Sequence, residues 1–113
     1  MTDINTEWNF FSNYAHVLVC LAENSNARLR DVAERVGITE RTTVRLVTHL
    51  EEAGILTRLK VGRRNSYVIN PDKLLRHPIE SHRTVGDLLA TILSRSEYKK
   101  LMQRSGSTKL GHR

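Results

Sequence analysis

The sequence predicts a mainly helical domain, with a three-helix core, one projecting β-hairpin and a further helix toward the C-terminal end. Three observations lead there. Apolar residues recur at helical spacing in four separate stretches. A helix-stopping residue, Gly37, and a helix-starting residue, Thr39, stand with one residue between them. "ILTRLKV", "GRRNS" and "YVIN" then read as strand, turn and strand, and Pro71 closes the hairpin. A chain of 113 residues fits one domain with a core of modest size.

The elements follow in order. Residues 1–7 are polar and are expected to form a flexible N-terminus. Trp8, Phe10, Phe11, Tyr14, Val17, Leu18 and Leu21 fall at helical spacing, with Ser12 as a candidate cap. "ENSNA" at 23–27 is a loop signal. Leu29, Val32, Ala33 and Val36 make a short amphipathic helix that Gly37 ends, because glycine accepts the left-handed backbone of a helix terminus. Thr39 caps the next helix, whose apolar face is Thr43, Leu46, Val47, Leu50 and Ala53, and Gly54 ends it. After the hairpin, Thr84 caps a last helix over 84–103. Val85, Leu88, Leu89, Ile92 and Leu93 form its stripe, and Leu101 and Met102 extend it. Residues 104–113 are rich in Gly, Ser and basic side chains and are expected to be a disordered tail.

The stretch from Asp31 to Ile55 meets the demands of a helix-turn-helix. Two helices crossing steeply over a tight turn need a small residue where they touch, and Ala33 supplies it. They need a permissive turn residue, Gly37, and an apolar plug after it, Ile38. Leu46 and Val47 lock the second helix onto Val32 and Val36. Thr43 stands where an aliphatic β-branched residue is expected, and its hydroxyl is expected to bond a carbonyl one turn back. With the hairpin as a wing, residues 8–83 read as a winged helix-turn-helix.

Once that inner face is spent, Arg41, Val44, Arg45, Thr48 and Glu52 remain outside, flanked by Thr42 and His49. This face is short-chained and basic at its N-terminal half, with Glu51 and Glu52 near the far end, which suits the major groove of double-stranded DNA. There Arg bonds guanine in bidentate fashion, and Val or Thr methyls touch thymine. The helix start at Thr39 offers free amides to a phosphate. On the wing, Arg58, Lys60, Arg63, Arg64 and Asn65 are candidates for backbone or minor-groove contact. Arg28 and Arg30 are further phosphate candidates.

From Tyr14 to Pro71 the chain resembles the winged helix-turn-helix regulators of the MarR and ArsR type, through "TERTTVRLVTHLEEAGIL" followed by "VGRRNSYVIN". The resemblance implies that the second helix of the motif reads DNA, that the wing touches the backbone and that terminal helices build a homodimer. It carries DNA contact to Thr39, Arg41, Thr42, Val44, Arg45 and Thr48, and to Arg63 and Arg64. Two departures stand out. The chain is short for a MarR regulator, leaving little room for a large effector cavity, and the paired cysteines of metal-sensing ArsR proteins are absent.

The remaining features bound the function. The formal net charge of +6 and the sequence pI near 10.0 favour polyanionic partners. No apolar run approaches the roughly 18 residues of a membrane span. The N-terminus has no basic region leading into an apolar stretch, so no secretory signal is expected. The single cysteine, Cys20, excludes an intramolecular disulfide framework and suits the cytoplasm, with nucleoid association when DNA is bound. It reads as a small core residue. The five histidines are scattered, and no metal or cofactor is expected. No nucleophile elbow, phosphate-cradling loop or carboxylate pair marks a catalytic site, so no enzyme activity is expected. The stripe Val85, Leu88, Leu89 and Ile92, with Trp8 and Phe11, is the candidate homodimer interface. A repressor occupying an operator is the simplest function. A winged helix used for protein contact, and a nonspecific nucleic-acid or chromatin binder, remain the alternatives.

Overall fold

The computed structural model describes residues 8–105, and in it five helices surround a two-stranded hairpin. The order is α1 (Asn13–Glu23), α2 (Leu29–Val36), α3 (Glu40–Glu52), β1 (Leu56–Val61), β2 (Arg64–Ile69), α4 (Val85–Ile92) and α5 (Arg95–Ser105). The expectations for residues 1–7 and for most of the tail lie outside the described residues.

Helix α1 is the hub. Seven of its eleven residues are buried, among them Val17, Leu18 and Leu21. It packs against α2, α3, β2, α4 and α5. The aromatic run before it does not join the helix: α1 starts at Asn13 with Ser12 as N-cap, and Trp8, Phe10 and Phe11 stay exposed. Helix α2 ends where Gly37 takes φ +89°, and the Gly37 and Ile38 amides both donate to the Ala33 carbonyl. A side chain at Gly37 would meet open space, so the turn asks for glycine on backbone grounds alone. Helix α3 then leaves at once, its first turn held by the Thr39 side chain, which accepts from the Thr42 amide at 3.0 Å. Thr43 is fully buried, and its hydroxyl donates to the Thr39 carbonyl at 3.0 Å, the back-bond expected of it.

The wing is a tight antiparallel ribbon in which Leu56 pairs with Ile69 and Val61 with Arg64. Its tip is the two residues Gly62 and Arg63. Leu56, Tyr67 and Ile69 are its buried residues, and they join the core formed by the helices. The Asn70 amide donates to the Ile55 carbonyl at the base, and the Tyr67 amide to the Ser25 carbonyl in the α1–α2 loop.

The C-terminal region corrects one expectation. The single helix over 84–103 is two helices, α4 and α5, broken at Leu93, where ψ is 152°. Both are capped reciprocally. Thr84 and Asp87 bond each other's amides at the start of α4, and Ser94 and Glu97 do the same before α5. Helix α5 turns back across α1, where Leu101 is buried and Arg104 donates to the Ala22 carbonyl at 2.7 Å. Arg104 therefore belongs to the folded domain and not to a disordered tail.

Candidate nucleic-acid interface

The turn at Gly37 and the cap at Thr39 set the direction of α3, and burial of Thr43, Leu46, Val47 and Leu50 sets its rotation. What remains outward is the face expected from the sequence. Arg41, Val44 and Arg45 are exposed, and Thr42 and Thr48 are half-buried beside them. Among the described residues, neither Arg41 nor Arg45 has an ion-pair or hydrogen-bond partner. The Thr39 and Thr48 hydroxyls are already spent as donors: Thr48 donates to the Val44 carbonyl and Thr39 to the Thr42 hydroxyl, each at 3.0 Å. They therefore offer lone pairs and methyl groups outward.

Arg28 is the N-cap residue of α2 and Arg30 lies in its first turn, both exposed. An open groove of about 510 Å³ runs between Glu40 and Val44 on α3 and the wing residues Arg58, Arg63, Arg64 and Asn65. Arg28 lines the same groove. At the wing, Lys60 and Arg63 are exposed and, among the described residues, unpartnered. Arg58 and Arg64 differ. Arg58 holds Glu51 through two bonds, Nη2 to Oε1 at 2.7 Å and Nε to Oε2 at 3.0 Å. The hydrogen bonds to the Glu51 carboxylate push the Arg58 pKa above its ordinary value. Arg58 also lies 6.0 Å from the centre of the Tyr67 ring. Arg64 donates to the Asn26 carbonyl at 3.1 Å. Glu51 is a residue of this surface that the sequence did not single out as a partner of Arg58.

Residues 12–61 match the family model described as the MarR family. Those residues hold α1, the helix-turn-helix and β1, and this part of the chain is similar to that family. The match supports the coarse reading of a DNA-binding transcriptional regulator. No curated protein matches the chain. Among solved structures, the chain is similar to the PcaV transcriptional regulator from Streptomyces coelicolor in complex with its natural ligand. The TM-score is 0.46 and the identity 22%, over 96% of this chain and 82% of that one.

The candidate dimer residues divide. Val85 and Leu89 are 1% and 0% exposed and sit in the chain's own core, so they are not open to a partner. Their stripe is consumed by packing against α1, which sequence periodicity cannot tell from packing against a second copy. Trp8, Phe11 and Ile92 are exposed, and Leu88 is half-buried. Trp8 packs edge-to-face on Phe10 at 5.0 Å.

Behind α3, an open cleft of about 870 Å³ runs between α1, α3 and the segment 75–80, past Tyr14, His49, Arg76 and His77. This is more space than the length of the chain suggested. On its wall the Tyr14 hydroxyl meets His49 Nδ1 at 2.7 Å, a link between α1 and the last turn of α3 that the sequence did not signal. His16 and His77 have local partners in Asn13 and the Ile79 amide. No cluster of three or more metal-ligating side chains occurs among the described residues. Cys20 is buried, and burial pushes its thiol pKa up. No described helix is long and apolar enough to cross a membrane.

Proposed function

We propose that the protein is a site-specific regulator that binds double-stranded DNA as a homodimer and acts as a repressor by occupying an operator in the cytoplasm. The observation that carries this reading is the outer face of α3, where Arg41 and Arg45 are exposed beside Val44 and, among the described residues, have no ion-pair or hydrogen-bond partner for their side chains. Unpaired arginines on the second helix of a helix-turn-helix are suited to base edges in the major groove. Thr39, Thr42 and Thr48 complete that surface. Arg28, Arg30, Lys60 and Arg63 supply phosphate contact, which sets affinity and its salt dependence. One such helix covers few base pairs, and a two-fold dimer reading two half-sites about 34 Å apart is the common remedy. Trp8, Phe11, Leu88 and Ile92 are the residues left open for that contact.

The test is a selection of sites from a random duplex pool, followed by affinity measurements on the winning duplex and a scrambled one. A palindromic winner bound far more tightly than the scramble supports the reading. Arg45→Ala then weakens binding to the winner by roughly 1–3 kcal/mol and relaxes base choice, while leaving the scramble nearly unaffected. Equal binding of winner and scramble marks a nonspecific nucleic-acid binder. Indifference to both at low salt marks a protein-contact module.

A further inference from the structure

Two of the wing's basic residues are tied to the protein by contacts that the DNA reading does not use. Arg58 stands on β1, opposite Tyr67, and reaches back seven residues to Glu51 in the last turn of α3. The contact uses the fork of the guanidinium against both carboxylate oxygens, which fixes orientation as well as distance. The pair is formally neutral, so it offers little net attraction to a phosphate. Arg64 begins β2 just past the tip and is tied to the Asn26 carbonyl in the α1–α2 loop. A third tie lies level with Arg58, the Tyr67 amide on the Ser25 carbonyl. Lys60 and Arg63 carry no such ties among the described residues.

We infer that Arg58 and Arg64 are positioning residues of the DNA-binding surface: Arg58 braces the wing against the recognition helix through Glu51, Arg64 ties it to the α1–α2 loop, and the wing's phosphate contacts fall to Lys60 and Arg63. This rests on the DNA-binding reading above. It assigns to four similar basic side chains two different tasks. A brace acts on the angle between α3 and the wing, and so on whether both reach the same duplex at once. A phosphate contact acts through charge, and each one lost flattens the dependence of log affinity on log salt by about 0.9.

The experiment measures binding of the full chain to the duplex selected from a random pool, across a series of salt concentrations. Arg63→Gln and Lys60→Gln are each expected to flatten the salt slope by about 0.9 per bound protomer, about 1.8 for the proposed dimer. Arg58→Gln and Arg64→Gln are expected to lower affinity for the selected duplex with the slope unchanged. Arg58→Lys keeps the charge but loses the fork, so it is expected to weaken binding as much as Arg58→Gln does. Glu51→Gln is expected to weaken binding by roughly three- to ten-fold, and the Glu51→Gln/Arg58→Gln double variant no further than either single one. Thermal unfolding of each variant confirms that the folded protein is being compared.

A phosphate-contacting Arg58 gives the opposite pattern. Arg58→Lys then binds as the parent does, Arg58→Gln flattens the slope, and Glu51→Gln, by freeing a cation, binds more tightly. Any of these overturns the brace. A flattened slope in Arg64→Gln overturns the tie to Asn26 as that residue's role. Failure of the parent chain to bind any duplex is a separate result, which removes the DNA reading itself.

Discussion

Replacing Gly86 by alanine sets two effects of opposite sign against each other. Gly86 is the second residue of α4, and alanine is preferred to glycine in a helix by up to about 1 kcal/mol. The structure decides against the gain. A Cβ built on Gly86 falls 3.1 Å from both the Cβ and the carbonyl oxygen of Pro71, a fit tighter than ordinary van der Waals contact. That oxygen cannot retreat freely, because it accepts the Gly86 amide at 2.8 Å. Relieving the clash lengthens this bond, worth about 0.5–1.5 kcal/mol net. Forcing a methyl group into a packed site costs about 1–3 kcal/mol. The expected balance is a loss of roughly 1–2 kcal/mol, which corresponds to a fall of about 4–8 °C in melting temperature for a domain near this size. Urea titration followed by circular dichroism measures it directly, with an unchanged m-value showing that stability alone has moved. A Gly86→Ala protein as stable as the parent, or more so, would refute the claim that Pro71 and α4 meet at this point.

Three further outcomes are expected. Leu89→Ala should lower unfolding free energy by about 2–5 kcal/mol, independent of protein concentration, because Leu89 is fully buried in the chain's own core. A loss that vanishes at high concentration would instead place Leu89 between two copies. The Thr84 amide bonds the Asp87 carboxylate and holds its pKa below the ordinary value. The stability from this contact is therefore complete above the ordinary carboxylate pKa and is lost as pH falls through the lowered one. An Asp87→Asn protein should show a shallower acid limb in its stability profile, and an unaltered limb would assign the acid sensitivity elsewhere. Cys20 should react with a thiol reagent at neutral pH only as fast as the domain opens, since burial raises its pKa and blocks access. Fast labelling of the native protein would contradict that packing.

The helix-turn-helix was legible because its constraints are local. Ala33, Gly37, Thr39 and the inward stripe fix one another within a few turns of chain. Even the departure at Thr43 carried its own explanation, since a hydroxyl in a helix reaches the carbonyl four residues back. The C-terminal break was less legible. Ser94 and Glu97 spell a helix start, but Leu101 and Met102 continue the preceding stripe closely enough to mask it. The start of α1 failed for the same reason, as Trp8, Phe10 and Phe11 keep helical spacing without joining the helix. Side-chain partners were the hardest to read. Arg64 meets a carbonyl 38 residues away, and Val85 and Leu89 meet α1, so neither pairing leaves a mark in the neighbouring sequence.

The wing's three ties have a mechanical consequence. A hairpin fastened at one level by Glu51 and Ser25, through the facing pair Arg58 and Tyr67, and near its tip by Asn26 is one jaw of a calliper whose opening is set during folding. Little ordering of the protein is then left for the moment of contact, and the burden of adjustment shifts to the duplex. Under the proposed function, a stretch of DNA that cannot bring its backbone to Arg63 while its groove accepts Arg45 is rejected for stiffness, even if every contacted base is right. The protein would then discriminate among sequences partly by their pliancy, at base pairs that no side chain touches.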